Sequence, residues 1–266
     1  MYNTEVNRIT VDAADLDIKA TIECGQFFRY EKTDTGYTVK SGEHACTVEQ
    51  AGDKVIIDTP SVDFFVNFFN LDRDINRMKR ELSRFPELAP ALECCGALRI
   101  LHQPLFETII SFIISANNNI PRIKSIINRI CAAFGDVFPT PRQLADIGLR
   151  QLSAIGCGYR SQYILDTSEI CAETDILNRL CGAHTSDAQQ MLLSLPGVGP
   201  KIADCVTLFS LGRFEVFPTD TWMFKTQRIG SENEAQVRTR LMNKYGEYSG
   251  YAQQLLFYYN AILRRG

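Results

Sequence analysis

The sequence predicts an α+β fold, a small antiparallel β-sheet at the N-terminus packed on a mostly α-helical body. Two observations carry this. Over the first sixty residues short β-type runs alternate with turns, and from Val62 onward the apolar residues recur at helical spacing to the end of the chain. Strands are expected at Arg8 to Val11, Phe27 to Tyr30, Tyr37 to Lys40, Ala45 to Val48 and Lys54 to Ile57, punctuated by Thr35-Gly36 and Ala51-Gly52-Asp53. The helical part is broken by loops at Phe85-Pro86, Gln103-Pro104 and Pro139-Thr140-Pro141. Residues 1–60 are therefore read as a β subdomain with flanking helices to about residue 100. Residues 101–266 form the helical body, with 61–100 and the C-terminal helix completing the helical region.

Within that body, residues 195 to 225 are the most informative stretch. Ser186 is placed to cap a helix, with Gln189 three residues later at capping-box spacing, and Met191, Leu192 and Leu195 give that helix an apolar face. Pro196-Gly197 must end it. Pro200 suits the first position of a second helix, where a missing N–H costs nothing. The result is a helix-hairpin-helix motif, whose uncovered Gly197 and Gly199 amides and second-helix N-terminus attract a phosphate without reading a base.

Lys201 falls in the first turn of the second helix, where the macrodipole disfavours an ammonium relative to a neutral amine. A neutral amine is a nucleophile that can form a Schiff base. From the hairpin alone, a lysine that merely neutralises a phosphate fits equally well. Nineteen residues on, Asp220 in Pro218-Thr219-Asp220 sits at the N-cap position of a helical stretch from Thr221 to Ile229. A plain cap is one reading. A carboxylate that also stabilises positive charge developing on a sugar is the other.

Two further turns carry polar groups. An apolar helix from Phe106 to Ala116 ends in Asn117-Asn118-Asn119, and Pro121 opens the next helix with Arg122 directly after it. Gly156-Cys157-Gly158 ends another helix and places Tyr159 and Arg160 at a turn expected to be exposed, before a helix resumes over Ser161 to Cys171. A solvated loop explains both turns. An aromatic wedge beside a guanidinium that reads an unpaired base explains the second more sharply.

Composition bounds these readings. A chain of 266 residues, 45% hydrophobic, can bury a sizeable core. No apolar run approaches membrane-spanning length, and the start lacks the layout of a signal peptide, so a cytoplasmic protein, nucleoid-associated in a prokaryote, is expected. The nine cysteines are scattered mostly singly in apolar surroundings and read as free buried thiols. A net charge of −3 and a pI near 5.7 argue weakly against a nucleic-acid binder. A local basic face would override this, drawn from Arg122, Lys124, Arg129, Arg160, Lys201, Lys225 and Arg228.

With these motifs in hand, the chain resembles the helix-hairpin-helix DNA glycosylases, and among them the 8-oxoguanine DNA glycosylase/AP lyases. LPGVGPKIADC with PTD downstream carries the superfamily likeness. CGQFFRY, SANNNIPRI, GYR and YAQQLLF carry the narrower one, and together they run from about residue 20 to residue 260. The resemblance implies that Lys201 attacks C1′ of a flipped nucleotide, expels the base and holds the sugar as a Schiff base before β-elimination, with Asp220 stabilising the sugar's charge. It implies a base pocket of Gly25, Cys205, Gln253 and Phe257, in which the Gly25 carbonyl accepts from the N7–H that distinguishes 8-oxoguanine from guanine. Cys205 and Phe257 are equally at home in a core. Asn117, Arg122 and Arg160 would surround the opposite cytosine while Tyr159 wedges into the duplex, and the Gly197, Val198 and Gly199 amides would hold a phosphate near the lesion.

The partner implied is double-stranded DNA holding an oxidised purine, engaged by a monomer away from membranes. No cofactor and no catalytic metal are implied, although a monovalent cation often sits at this hairpin's backbone in the superfamily. Trp222 departs from the pattern, standing where the animal members carry a histidine. The last 61 residues lack cysteine, which sets the chain apart from the iron–sulfur branches. A lysine-dependent glycosylase for another lesion, or a helix-hairpin-helix protein that only binds DNA, are the alternatives.

Overall fold

The computed structural model describes residues 2–263, with side chains through residue 260. The chain divides into two compact units. One comprises residues 1–39, 46–102 and 212–266, the other residues 40–45 and 103–211. Residues 212–266, grouped with the helical body in the sequence, thus cluster with the sheet.

The sheet has six strands, β1 (Tyr2–Glu5), β2 (Arg8–Asp12), β3 (Tyr30–Lys32), β4 (Gly36–Ser41), β5 (His44–Ala51) and β6 (Lys54–Asp58), in the order β1-β2-β6-β5-β4-β3. Pairing is antiparallel, with Ile57 opposite both Ile9 and Val48. Alternation does the sorting: Ile9, Val11, Val48, Val55 and Ile57 turn to the core. They meet Phe65, Phe68 and Phe69 at the end of the Val62–Phe68 helix, whose rings cross edge to face.

Two sequence expectations shift here. Strand β1 was not foreseen, because Tyr2–Glu5 has no alternation and is held by pairing with β2 alone. The strand expected at Phe27 to Tyr30 begins at Tyr30 instead, and Phe27 and Phe28 are both buried, without the alternation of a strand that has one exposed face.

The same unit holds the Thr221–Gln227, Glu234–Tyr245 and Ser249–Phe257 helices. A capping box of Asn233 and Gln236 starts the second. Tyr251 anchors the third, fully buried and donating its hydroxyl to the Gly96 carbonyl at 3.0 Å.

In the other unit the Leu105–Ser115 helix is buried along almost its whole length, and Phe112 on it stacks on Phe209 at 5.6 Å. Against it pack the Ile120–Ala132, Arg160–Glu173 and Pro200–Phe209 helices, with the Gly148–Ile155 helix on the first two and the Thr185–Leu193 helix on the third. All nine cysteines are free thiols, seven of them buried. No helix among the described residues is long and apolar enough to cross a membrane.

Candidate active site

The hairpin forms between the Thr185–Leu193 and Pro200–Phe209 helices. Ser186 is not the cap of the first: His184 occupies that position with an extended backbone, and no side chain caps the helix. Gln189, freed from a capping role, donates instead to the fully buried Asp204 carboxylate at 2.5 Å, tying the two helices together. Gly197 takes φ +80°, the left-handed turn that favours glycine. The Val198 N–H is spent inside the turn on the Leu195 carbonyl at 3.1 Å, so it does not face a phosphate. The amides left to attract a phosphate are those of Gly197, Gly199 and the first turn of the second helix, where a helix start leaves N–H groups without intrahelical partners.

Pro200 opens that helix as expected, and Lys201 follows in its first turn, part exposed. Its amine lies 4.8 Å from the centroid of the Phe112 ring, whose negative face attracts a cation. No spacing rule foretells this contact, because Phe112 reads as one more apolar residue of a buried helix. Cys205 lies one turn further along, on the lysine's own face, and is buried.

The asparagine turn and the Tyr159 turn belong to the same unit. Asn119 caps the Ile120–Ala132 helix by accepting from the Arg122 N–H at 3.0 Å. Asn117 adopts φ +48° and is exposed, as is Arg122. Tyr159 is 59% exposed, which suits a wedge. Arg160 differs from expectation. Only 4% exposed, it donates through Nε to the Ala116 carbonyl at 2.9 Å and through its terminal nitrogen to the carbonyls of Ala116 and Asn117. Its guanidinium also lies 4.4 Å from the centroid of the Tyr159 ring. Arg160 is a clamp on the asparagine turn as it stands, because the carbonyls freed at the end of the Leu105–Ser115 helix need donors and a planar guanidinium supplies several.

In the unit that holds the sheet, Asp220 is a true N-cap, accepting from the Met223 N–H at 2.6 Å, and its helix ends at Gln227, two residues short of the expected Ile229. Gly25 takes φ +80° just after the Ile18–Glu23 helix. Its turn is pinned from both sides. Gln26 donates to the Thr21 and Arg99 carbonyls at 2.8 Å and accepts from the Leu101 N–H at 2.9 Å, while Gln254 donates to the Cys24 carbonyl at 2.7 Å. Burial pushes the Cys24 thiol up to about 12, so it stays protonated. Gln26 and Gln254 hold the glycine in place, and their amides gave no sequence signal beyond adjacency to predicted residues.

Gln253 and Phe257 share a face of the Ser249–Phe257 helix. Gln253 is 5% exposed, and its carbonyl oxygen is buried with no hydrogen-bond partner among the described residues. Such an acceptor is costly unless something occupies it at work. Among the described residues no cluster of histidine, cysteine and acidic side chains could hold a metal ion.

A lysine in the first turn behind a phosphate-attracting hairpin, together with an aspartate cap downstream, is the constellation of helix-hairpin-helix DNA repair proteins. Residues 8–109 match the family described as 8-oxoguanine DNA glycosylase, N-terminal domain, and residues 110–249 match the HhH-GPD superfamily base excision DNA repair proteins. The N-glycosylase/DNA lyase OGG1 of Arabidopsis thaliana is 30% identical over 91% of this chain and 77% of its own length. An N-glycosylase/DNA lyase of Saccharomyces cerevisiae is 26% identical over 94% of this chain and 85% of its own. Among solved structures, the 8-oxoguanine glycosylase/lyase of Clostridium acetobutylicum, in complex with double-stranded DNA containing cytosine opposite 8-oxoguanine, is 31% identical. It superposes with a TM-score of 0.90 over 99% of this chain and 98% of its own. The chain belongs to the 8-oxoguanine DNA glycosylase family, within the HhH-GPD superfamily of base excision DNA repair proteins.

Proposed function

We propose that this enzyme excises 8-oxoguanine from duplex DNA, preferentially opposite cytosine, and then cleaves the strand by a lyase step. The observation that carries the substrate reading is the unpartnered, buried Gln253 carbonyl oxygen. The Watson–Crick edge of a guanine-type base offers N–H donors, and a flipped 8-oxoguanine would supply the partner that the described residues do not. The Gly25 carbonyl takes the N7–H, a donor absent from guanine, and Cys205 and Phe257 offer stacking surfaces to the purine.

In the reaction, the Lys201 amine forms a bond to C1′ as the C1′–N9 bond breaks, its electron pair leaving with the base, which is then protonated. The ring opens to a Schiff base, loss of a C2′ proton follows, and the C3′–O bond breaks to nick the strand. Asp220 keeps one oxygen on the Met223 amide and turns its charge toward the cationic sugar. Asn117 and Arg122 address the estranged cytosine, and Arg160 supports them through the asparagine turn. Tyr159 fills the gap in the stack. A monovalent cation at the hairpin would be held by backbone carbonyl oxygens, donors suited to a hard ion.

Borohydride trapping across duplexes that each carry one lesion and one opposite base tests the reading. The expected result is a covalent adduct, strongest with 8-oxoguanine opposite cytosine and absent in Lys201→Gln. An adduct that persists in Lys201→Gln removes the lysine assignment, and weak trapping of 8-oxoguanine beside strong trapping of another lesion removes the substrate.

A further inference from the structure

Tyr163 has no role in the chemistry above, yet it stands in a telling place. It lies four residues after Tyr159, so the two share a face of the Arg160–Glu173 helix and its N-terminus. The rings meet edge to face, 6.4 Å between centroids and 87° between planes. Below its ring, the Tyr163 Cβ packs on Gly197 of the hairpin so closely that a Cβ added to Gly197 would come within 2.7 Å of it. One turn further along the same face, the Thr167 hydroxyl donates to the Pro196 carbonyl at 2.9 Å. Tyr163 nevertheless remains 41% exposed, between an exposed wedge ring and a phosphate-attracting turn.

We propose that Tyr163 is a positioning residue, a strut that sets the distance between the Tyr159 wedge and the hairpin. The proposal rests on the reading of Tyr159 as a wedge. Extruding a nucleotide requires that one group push into the stack while another holds the backbone, at a fixed offset along the DNA. A rotamer change in an unbraced Tyr159 would alter that offset. With Tyr163 wedged between the ring and Gly197, the push and the grip move as one body. The tightness at Gly197 is what transmits the constraint, because two surfaces already in contact cannot slide toward each other.

The test separates opening of the stack from chemistry. A duplex with a tetrahydrofuran abasic analogue beside 2-aminopurine reports unstacking by fluorescence, without any base to excise. Borohydride trapping on a single-stranded oligonucleotide with an abasic site reports the lysine chemistry with no stack to open. In Tyr163→Ala the fluorescence rise slows about tenfold, the scale of loss that a small misplacement of a working group produces. Single-strand trapping stays at the wild-type level, and Tyr163→Phe, which keeps the ring, behaves as wild type in both. A wild-type rate of unstacking in Tyr163→Ala overturns the strut. So does a parallel fall in single-strand trapping, which would make Tyr163 a support of the lysine's helix. Wild-type protein that unstacks 2-aminopurine but traps no abasic site would overturn the proposed chemistry while leaving the strut tested by fluorescence.

Discussion

The Trp222 indole stands edge-on to the Phe257 ring, with 6.0 Å between centroids and 85° between planes. Trp222 lies two residues past the Asp220 cap and Phe257 ends the Ser249–Phe257 helix, so the contact joins the helix that Asp220 starts to the ring proposed to stack on the base. An indole gives a broad backing to that ring. Trp222→Ala should therefore loosen Phe257 and raise the KM for 8-oxoguanine duplex about fivefold, the worth of an aromatic pair near 1 kcal/mol. Trapping on abasic DNA, which presents no base to stack, should not change. Steady-state kinetics on both substrates checks this, and a fall confined to kcat would refute it.

Asp220 combines two tasks that substitution can separate. Asn accepts the Met223 N–H as well as Asp does, whereas Ala leaves it without a side-chain partner. Asp220→Asn should unfold at the wild-type temperature yet lose most base excision, because the charge is gone. Asp220→Ala should lose excision and also about 1 kcal/mol of stability. Thermal melts beside single-turnover rates decide; an active Asp220→Asn would reduce the residue to a cap.

Gln253 sets stability against function. Its buried carbonyl oxygen is desolvated without a partner among the described residues, so Gln253→Leu should be neutral or stabilising by about 1 kcal/mol. The same change should sharply lower excision of 8-oxoguanine. Denaturant midpoints and excision rates measured on one preparation test both halves, and a strongly destabilised Gln253→Leu would show that the oxygen is satisfied in solution.

Acid should loosen the Gly25 turn through Glu23. Burial raises the Glu23 carboxyl, but hydrogen bonds from Tyr37 at 2.5 Å and Lys32 at 2.9 Å and the lysine charge outweigh it and hold the group below the usual glutamate value. A carboxylate lowered on folding contributes stability above its unfolded pKa and loses it as pH falls through the folded one. Tyr37→Phe should thus cost about 1 kcal/mol near pH 7, and the difference from wild type should vanish toward pH 3. Urea unfolding at the two pH values measures it, and a pH-independent difference would point to packing instead.

What the chain's order of residues revealed was local. Pro200 at a helix start, Asp220 at a cap and the helix stop before Pro196-Gly197 each follow from a few neighbouring residues, and each stands where expected. Ser186 failed by the same logic: the capping pattern was present, but His184 began the helix earlier and Gln189 found a better partner in Asp204, fifteen residues away. Arg160 looked exposed because glycines and an aromatic surround it; its burial depends on carbonyls more than forty residues earlier. Phe112 beneath Lys201 and Gln254 beside Cys24 were illegible for the same reason, since no spacing rule links partners that only the fold brings together.

The hydrogen bond from Gln254 to the Cys24 carbonyl spans 230 positions of the chain. During synthesis, residues 103–211 emerge as one stretch and can settle soon after they leave the ribosome, whereas the unit that holds Gly25 must wait for its C-terminal segment. The six strands all lie within residues 2–58 and pair with one another, so the sheet has its partners early, while the Gly25 turn lacks its tie until Gln254 emerges. The Gly25 turn is thus among the last parts of the molecule to take shape. A nascent protein can have its lysine-bearing hairpin folded well before its Gly25 turn is locked by Gln254.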